Sequence, residues 1–238
     1  MQKEHSSLTK RTVFECFLIL ILIPLTIGFS MVFLNDRKYY FTSLLIIIYT
    51  IIPFFIAFEG RKPKAREIVV ISVLSAIAIV GRAVFFMVPQ VKPVIAIVII
   101  AGIAFGAESG FLVGAITGFV SNFFFGQGPW TPWQMFCFGI IGFLAGILFK
   151  KGMLKRTKLS LCIFGGLSTL IIYGGIINFG SLLISGAKPT AEALFTVYLA
   201  GLPMDLIHAF STVIFLFLIA MPMLEKLDRI KVKYGLLE

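Results

Sequence analysis

A chain of 238 residues that is 59% hydrophobic and only 13% charged, with a mean hydropathy of +1.02, has the composition of a polytopic membrane protein and not of a soluble domain with one core. Its formal net charge of +10 comes from basic residues in short loops between apolar runs. That is the pattern of loops facing anionic lipid, so nucleic acid is excluded as a partner.

In chain order, a basic tail with Lys3, Lys10 and Arg11 precedes a first apolar run, Val13 to Phe33. It resembles a signal peptide, but no small-residue cleavage site follows, so the sequence predicts a retained helix. A second run, Phe41 to Phe58, carries Pro53, and the basic loop EGRKPKARE (59–67) then marks a boundary. The expected organisation is a two-helix membrane leader over 1–60 and a six-helix core over 61–238.

The core begins with Ile68 to Val88, which holds Arg82 well inside the apolar stretch. A shorter run, Pro93 to Phe105, is followed by a junction at Gly106 to Gly110 with Glu108, and then by Phe111 to Phe125. The next run, Trp133 to Phe149, contains Gly139, Gly142 and Gly146, which permit close helix approach. After the basic loop KKGMLKRTK (150–158), the run Leu159 to Ile184 is expected to be broken by Gly165, Gly166, Gly174 and Gly175. The region Ala191 to Leu224 is too long for one perpendicular span. Pro203 is expected to divide it into an interfacial or re-entrant part and a spanning part.

The fold class is therefore all-α and membrane-integral, with about eight transmembrane helices. Placing both termini in the cytoplasm puts the tail, the loops at 59–67 and 150–158 and the C-terminus on one side, where nearly all Lys and Arg collect. The turns at 89–92, 126–132 and 185–191 then share the outer face.

The stretch SNFFFGQGPWTPWQMF (121–136) is the chain's main irregularity. Gly126, Gly128, Pro129 and Pro132 forbid a continuous helix. Trp130 and Trp133 are the only tryptophans, and Trp favours the membrane–water interface. Asn122, Gln127 and Gln134 add amides where hydrocarbon tolerates none unpaired. Either this is an interfacial hairpin with an aromatic anchor, or it is the rim of a ligand site facing water.

Other candidates carry a similar pair of readings. Arg82 either snorkels to the interface or faces a cavity or partner. Asp205 and His208, three residues apart, share a helix face, and Asp205 is expected either to pair with Arg82 or to hold a ligand group. Gln90 and Lys92 lie in a turn that is either solvated or touches ligand. Asn122 and Asn178 need partners within their spans, from ligand or from another helix. The three cysteines, Cys16, Cys137 and Cys162, sit inside apolar runs and make neither a metal motif nor a disulfide framework. No catalytic constellation or phosphate-cradling loop is present, so neither an enzyme nor a resident metal or cofactor is expected, and uphill transport would need a partner to supply the work.

From Ile68 onward, the spans after the basic loop, PQVKPVIAIVIIAGIAFG (89–106), SNFFFGQGPWTPWQMF, DLIHAFSTVIFL and EKLDRIKVKYGL resemble those of the substrate-binding membrane subunit, the S component, of energy-coupling factor (ECF) transporters. The resemblance implies an importer subunit in the cell membrane that binds a vitamin at its outer end. Its implied partners are a transmembrane coupling subunit, two ATPase subunits and membrane lipid. Cobalamin or a related corrinoid is the favoured ligand, with riboflavin-like and queuosine-precursor heterocycles as alternatives. Arg82, Gln90, Asn122, Gln127, Trp130, Trp133, Gln134 and Asn178 are the expected binding residues. Family members dock on the coupling subunit through small residues spaced four apart on the first core helix. Ser72 and Ala76 are the nearest match here, with Val80 departing from the pattern. The rival classes are a stand-alone permease, which would call for ion-coupling groups and an inverted repeat, and an integral membrane enzyme.

Overall fold

The computed structural model describes residues 17–34, 41, 44–46, 48–49 and 65–235, and its regular elements are helices. A π-helical turn, Leu18–Leu22, runs into α1, Ile23–Leu34. Ile19, Ile23 and Ile27, spaced four apart on one face, are buried while Leu20, Ile21 and Leu25 are exposed. That is how a helix packed on one side only should divide its side chains. Of the second predicted run, residues 44–46 and 48–49 are helical and Ile46 is buried. Pro53 and most of the 59–67 loop lie outside the described residues, as does Cys16.

Six helices follow: α2 (Ala65–Val84), α3 (Val94–Phe105), α4 (Ala107–Phe125), α5 (Trp130–Lys150), α6 (Lys158–Ile184) and α7 (Ala191–Tyr234), of which α4 to α7 are each long and apolar enough to cross a membrane. α3 is the hub, contacting α2, α4, α5 and α7. All twelve of its residues are buried, which explains a sequence apolar on every side. At 1.5 Å per residue it rises only about 18 Å, well short of a hydrocarbon core about 30 Å thick. One of its ends therefore stops inside the bundle.

Glycines set how closely α3, α4 and α5 approach. A Cβ built on Gly142 would lie 2.5 Å from the Gly110 carbonyl oxygen, and one on Gly114 would lie 2.5 Å from the Gly139 nitrogen. Backbone contact of this kind is the small-residue packing that membrane helices use. The expected junction at 106–110 is much tighter than the sequence suggests. Gly106 alone connects α3 to α4, at φ 101°, and α4 begins at Ala107. Only a residue without a Cβ turns the chain so sharply at little cost.

Two further expectations are corrected. The glycines of 159–184 do not break the helix: α6 continues through a π-helical segment, Ser168–Gly174. There Gly165 faces Leu216 and Gly174 faces Asp205, so these glycines are contact points with α7 and not hinges. Nor does Pro203 divide the last region, because α7 is one helix of 44 residues containing both Pro203 and Pro222. A proline removes one backbone donor, and packing against a neighbouring helix can hold the element together across it. α6 packs along α7, with Thr169 Oγ1 donating to Thr212 Oγ1 at 3.1 Å and Tyr198 Oη donating to the Gly175 carbonyl at 2.7 Å. α7 ends in a left-handed Gly235, φ 55°.

The basic residues gather where α3 ends. Lys231 Nζ donates to the Ala104 carbonyl at 3.0 Å and Arg156 Nη2 to the Ile103 carbonyl at 2.9 Å. Both pair with Asp228. Cations on the last carbonyls of a helix satisfy its orphan acceptors and oppose its dipole.

Candidate functional site

At the opposite end of α3 from this basic cluster, a polar network ties three helices together. Arg82, near the end of α2 and only 9% exposed, donates through Nη1 to Ser121 Oγ at 2.5 Å and to Asn122 Oδ1 at 2.8 Å. Asn122, at 1% exposure, donates in turn to Thr131 Oγ1 at 3.0 Å and to Gln134 Oε1 at 2.9 Å on α5. Thr131 Oγ1 donates to Gln127 Oε1 at 2.8 Å, and Gln127 Nε2 donates to the Phe119 carbonyl at 2.9 Å. The guanidinium also lies 5.1 Å from the Phe125 ring centre, a favourable place for a cation. The irregular 126–129 connection is thus held by its own amides, and Arg82 is buried rather than snorkelling.

Beside this network is a cavity of about 140 Å³ lined by Arg82, Gln90, Lys92, Val94, Gln134, Phe138, Tyr173 and His208. Each side of it has a local cause. Gln90 has φ 58°, in the left-handed region, and it is the one non-glycine there among the described residues. Strain of that kind, about 1 kcal/mol, persists where surrounding contacts over-determine the backbone. Lys92 is anchored through its backbone, its N–H donating to Ser211 Oγ at 3.0 Å on α7. Burial and the neighbouring Arg82 charge both lower its pKa from the ordinary lysine value. Val94 is the first residue of α3, whose N-cap, Pro93, offers no side-chain acceptor. The start of the short helix therefore forms part of the cavity wall. Tyr173, in the π-helical segment, stacks on Phe138 at 5.2 Å and meets His208 edge-on at 4.7 Å.

The structure brings Arg82, Gln90 and Gln134 of the expected set around one cavity and couples Asn122 and Gln127 to them. The other expected binding residues lie elsewhere. Asn178 Nδ2 donates to Asp205 Oδ2 at 2.6 Å, so Asp205 pairs with Asn178 and not with Arg82. Asp205 lines a separate, mostly apolar groove of about 430 Å³ between α6 and α7. Trp133 packs edge-on against Phe179 and over Gly180, while Trp130 covers Gly128 and is 44% exposed. Ser72 and Ala76 are exposed on α2.

His208 and Lys92, weighed from the sequence as an Asp205 neighbour and a turn residue, belong to the cavity. Phe138 and Val94 were missed. Neither carries a polar signal, and only the meeting of α3, α5 and α6 makes them lining residues. Among the described residues no group of three or more His, Cys, Asp or Glu is placed to hold a metal ion.

These features define an all-α integral membrane protein with a small polar cavity closed by five of its helices and the turn before α3. Residues 62–228 match the family model described as ECF-type riboflavin transporter, S component. The chain belongs to that family, and is accordingly a multi-pass subunit of an ECF importer, working with an ECF module on a small-molecule substrate. The family is one of transport subunits and not of enzymes. Among curated proteins, the chain is 30% identical over 125 residues to a UPF0397 protein of Vibrio atlanticus (strain LGP32), covering 50% of this chain and 68% of that one. UPF0397 proteins of Aliivibrio fischeri (strain MJ11) and Aliivibrio salmonicida (strain LFI1238) are each 27% identical, again over 50% of this chain and 68% of theirs. No solved structure matches.

Proposed function

We propose that this chain is the substrate-recognition subunit of a micronutrient importer and that the cavity around Arg82, Gln90, Lys92 and Gln134 is its binding site. The observation that carries this reading is a buried, hydrogen-bonded arginine lining a polar cavity within a bundle of apolar helices, where an ionisable group is costly unless it serves a site. The cavity lies at the end of the bundle away from the Lys- and Arg-rich loops. By the charge asymmetry that orients membrane proteins, it opens to the outside, with both termini in the cytoplasm. The exposed small residues Ser72 and Ala76 form the face that docks on the coupling subunit, and two ATPase subunits supply the work.

The size of the site bears on the solute. Sites for drug-sized ligands run from roughly 300 to 1,000 Å³, and this one, at about 140 Å³, suits a small ring system or one end of a larger ligand. The corrinoid favoured from the sequence is far larger than this volume, so a smaller heterocycle is the better fit. The test is ATP-driven uptake in cells expressing the chain with an ECF module, with mass spectrometry of small molecules released from the purified protein. The panel includes riboflavin, cobalamin and pyridine-type vitamins. Uptake of one solute that also co-purifies near one per chain supports the reading. An empty protein with no uptake from the panel overturns it in favour of a different class of permease.

A further inference from the structure

We infer that the cavity is an oxyanion seat: it takes a carboxylate or phosphate group of the transported solute and selects acidic solutes over their neutral isosteres. The inference rests on the substrate-binding reading above and adds the chemical class.

Three donors line the cavity, and none of them has a counter-ion among the described residues. Both Arg82 hydrogen bonds are made by Nη1. The Nε–H and Nη2 edge makes none among the described residues, yet it is the fork that holds carboxylate or phosphate by two parallel bonds. The Lys92 ammonium likewise has no hydrogen bond or ion pair among the described residues, since its contacts with Ser211 are through the backbone. His208 is 3% exposed and lines the same cavity, with no hydrogen-bond partner to either ring nitrogen among the described residues. To these the start of α3 at Val94 adds the positive end of a twelve-residue helix whose cap supplies no acceptor.

Among the described residues no carboxylate lines the cavity. Asp205, one turn before His208, is held by Asn178 in the other groove. A buried Arg82 beside a half-buried Lys92 is costly without a counter-ion, and an anion between them offsets that cost. A neutral solute would leave the cost in place. The Phe138 and Tyr173 rings form the apolar wall, so a carboxylate or phosphate on one aromatic ring matches both the lining and the volume.

The test uses the full chain in uncharged detergent micelles, with benzoate and phenyl phosphate as oxyanion probes and benzamide as the neutral isostere. Melting temperature is followed as each is titrated, for the wild type and for Lys92→Gln, a change that keeps both backbone contacts with Ser211. At least one oxyanion is expected to raise the melting temperature saturably while benzamide does not. Lys92→Gln should raise the half-saturating concentration about tenfold, as expected for one charge-assisted hydrogen bond. Equal stabilisation by benzamide, an unchanged response in Lys92→Gln, or no response to either oxyanion up to its solubility overturns the inference. Stabilisation by added phosphatidylglycerol without any by the free oxyanions assigns the seat to a lipid headgroup and overturns it as a solute site. Failure here is distinguishable from failure of the importer reading: uptake of a neutral vitamin leaves the subunit role standing and removes the oxyanion seat alone.

Discussion

Replacing Asn122 by leucine is the most direct test of how the site is held together. The substitution keeps the branched outline of the side chain, with somewhat bulkier methyl groups, and removes all three of its hydrogen bonds, from Arg82 at 2.8 Å and to Thr131 and Gln134 at 3.0 and 2.9 Å. Interhelical hydrogen bonds in membranes contribute about 0.6 kcal/mol on average and up to about 1.7, because the unfolded chain in lipid also finds partners. The bond from Arg82 belongs at the upper end because it is charge-assisted, and its loss leaves a buried guanidinium holding Ser121 alone. The three together predict a destabilisation of about 2–4 kcal/mol. Asn122→Asp is the informative contrast. It keeps the acceptor for Arg82 and adds a counter-ion, so it should be less destabilising than leucine, while its negative charge weakens binding of an acidic solute. Thermal unfolding of purified variants in detergent, followed by circular dichroism, measures both. Asn122→Leu unfolding at the wild-type temperature would refute the claim that this network ties α2, α4 and α5 together.

Three further outcomes follow from the packing. Gly142→Val should be destabilised by about 1–3 kcal/mol or fail to assemble, because its Cβ would meet the Gly110 carbonyl and Val98 where α3, α4 and α5 cross; recovery of folded protein by size-exclusion chromatography checks this. Gln90→Gly should be about 1 kcal/mol more stable, since glycine adopts φ 58° without penalty, yet should bind solute more weakly for want of the amide; melting temperature and ligand titration are read on the same sample. Ala76→Trp, on the exposed face of α2, should leave solute binding intact and abolish ATP-driven uptake, and normal uptake would remove this face as the docking surface.

The class of the protein and its all-helical make-up were legible in sequence because lipid makes strict demands: long apolar runs, and polar groups only where they are satisfied. Arg82 and Asn122 stood out for that reason. Asn178 stood out equally, yet its amide is satisfied by Asp205 on the neighbouring helix. A sequence marks which groups need partners without saying which partner is in reach. The glycines of α6 and the proline of α7 misled in the other direction. Local propensity argues for breaks at both, while contact along the whole α6–α7 pair holds the helices through them.

What the sequence determined by itself was the solvent each segment prefers, since apolar length is a property of single segments: an all-α membrane protein. What only tertiary structure decided was the site. Arg82 and Lys92 lie far in the chain from Gln134 and from His208, and they share a cavity where the short α3 begins, with its first residue, Val94, among the lining. Closing a space from five distant segments is a matter of helix crossing and depth, set by backbone contact at glycines such as Gly110 and Gly142. No periodicity within one segment encodes it.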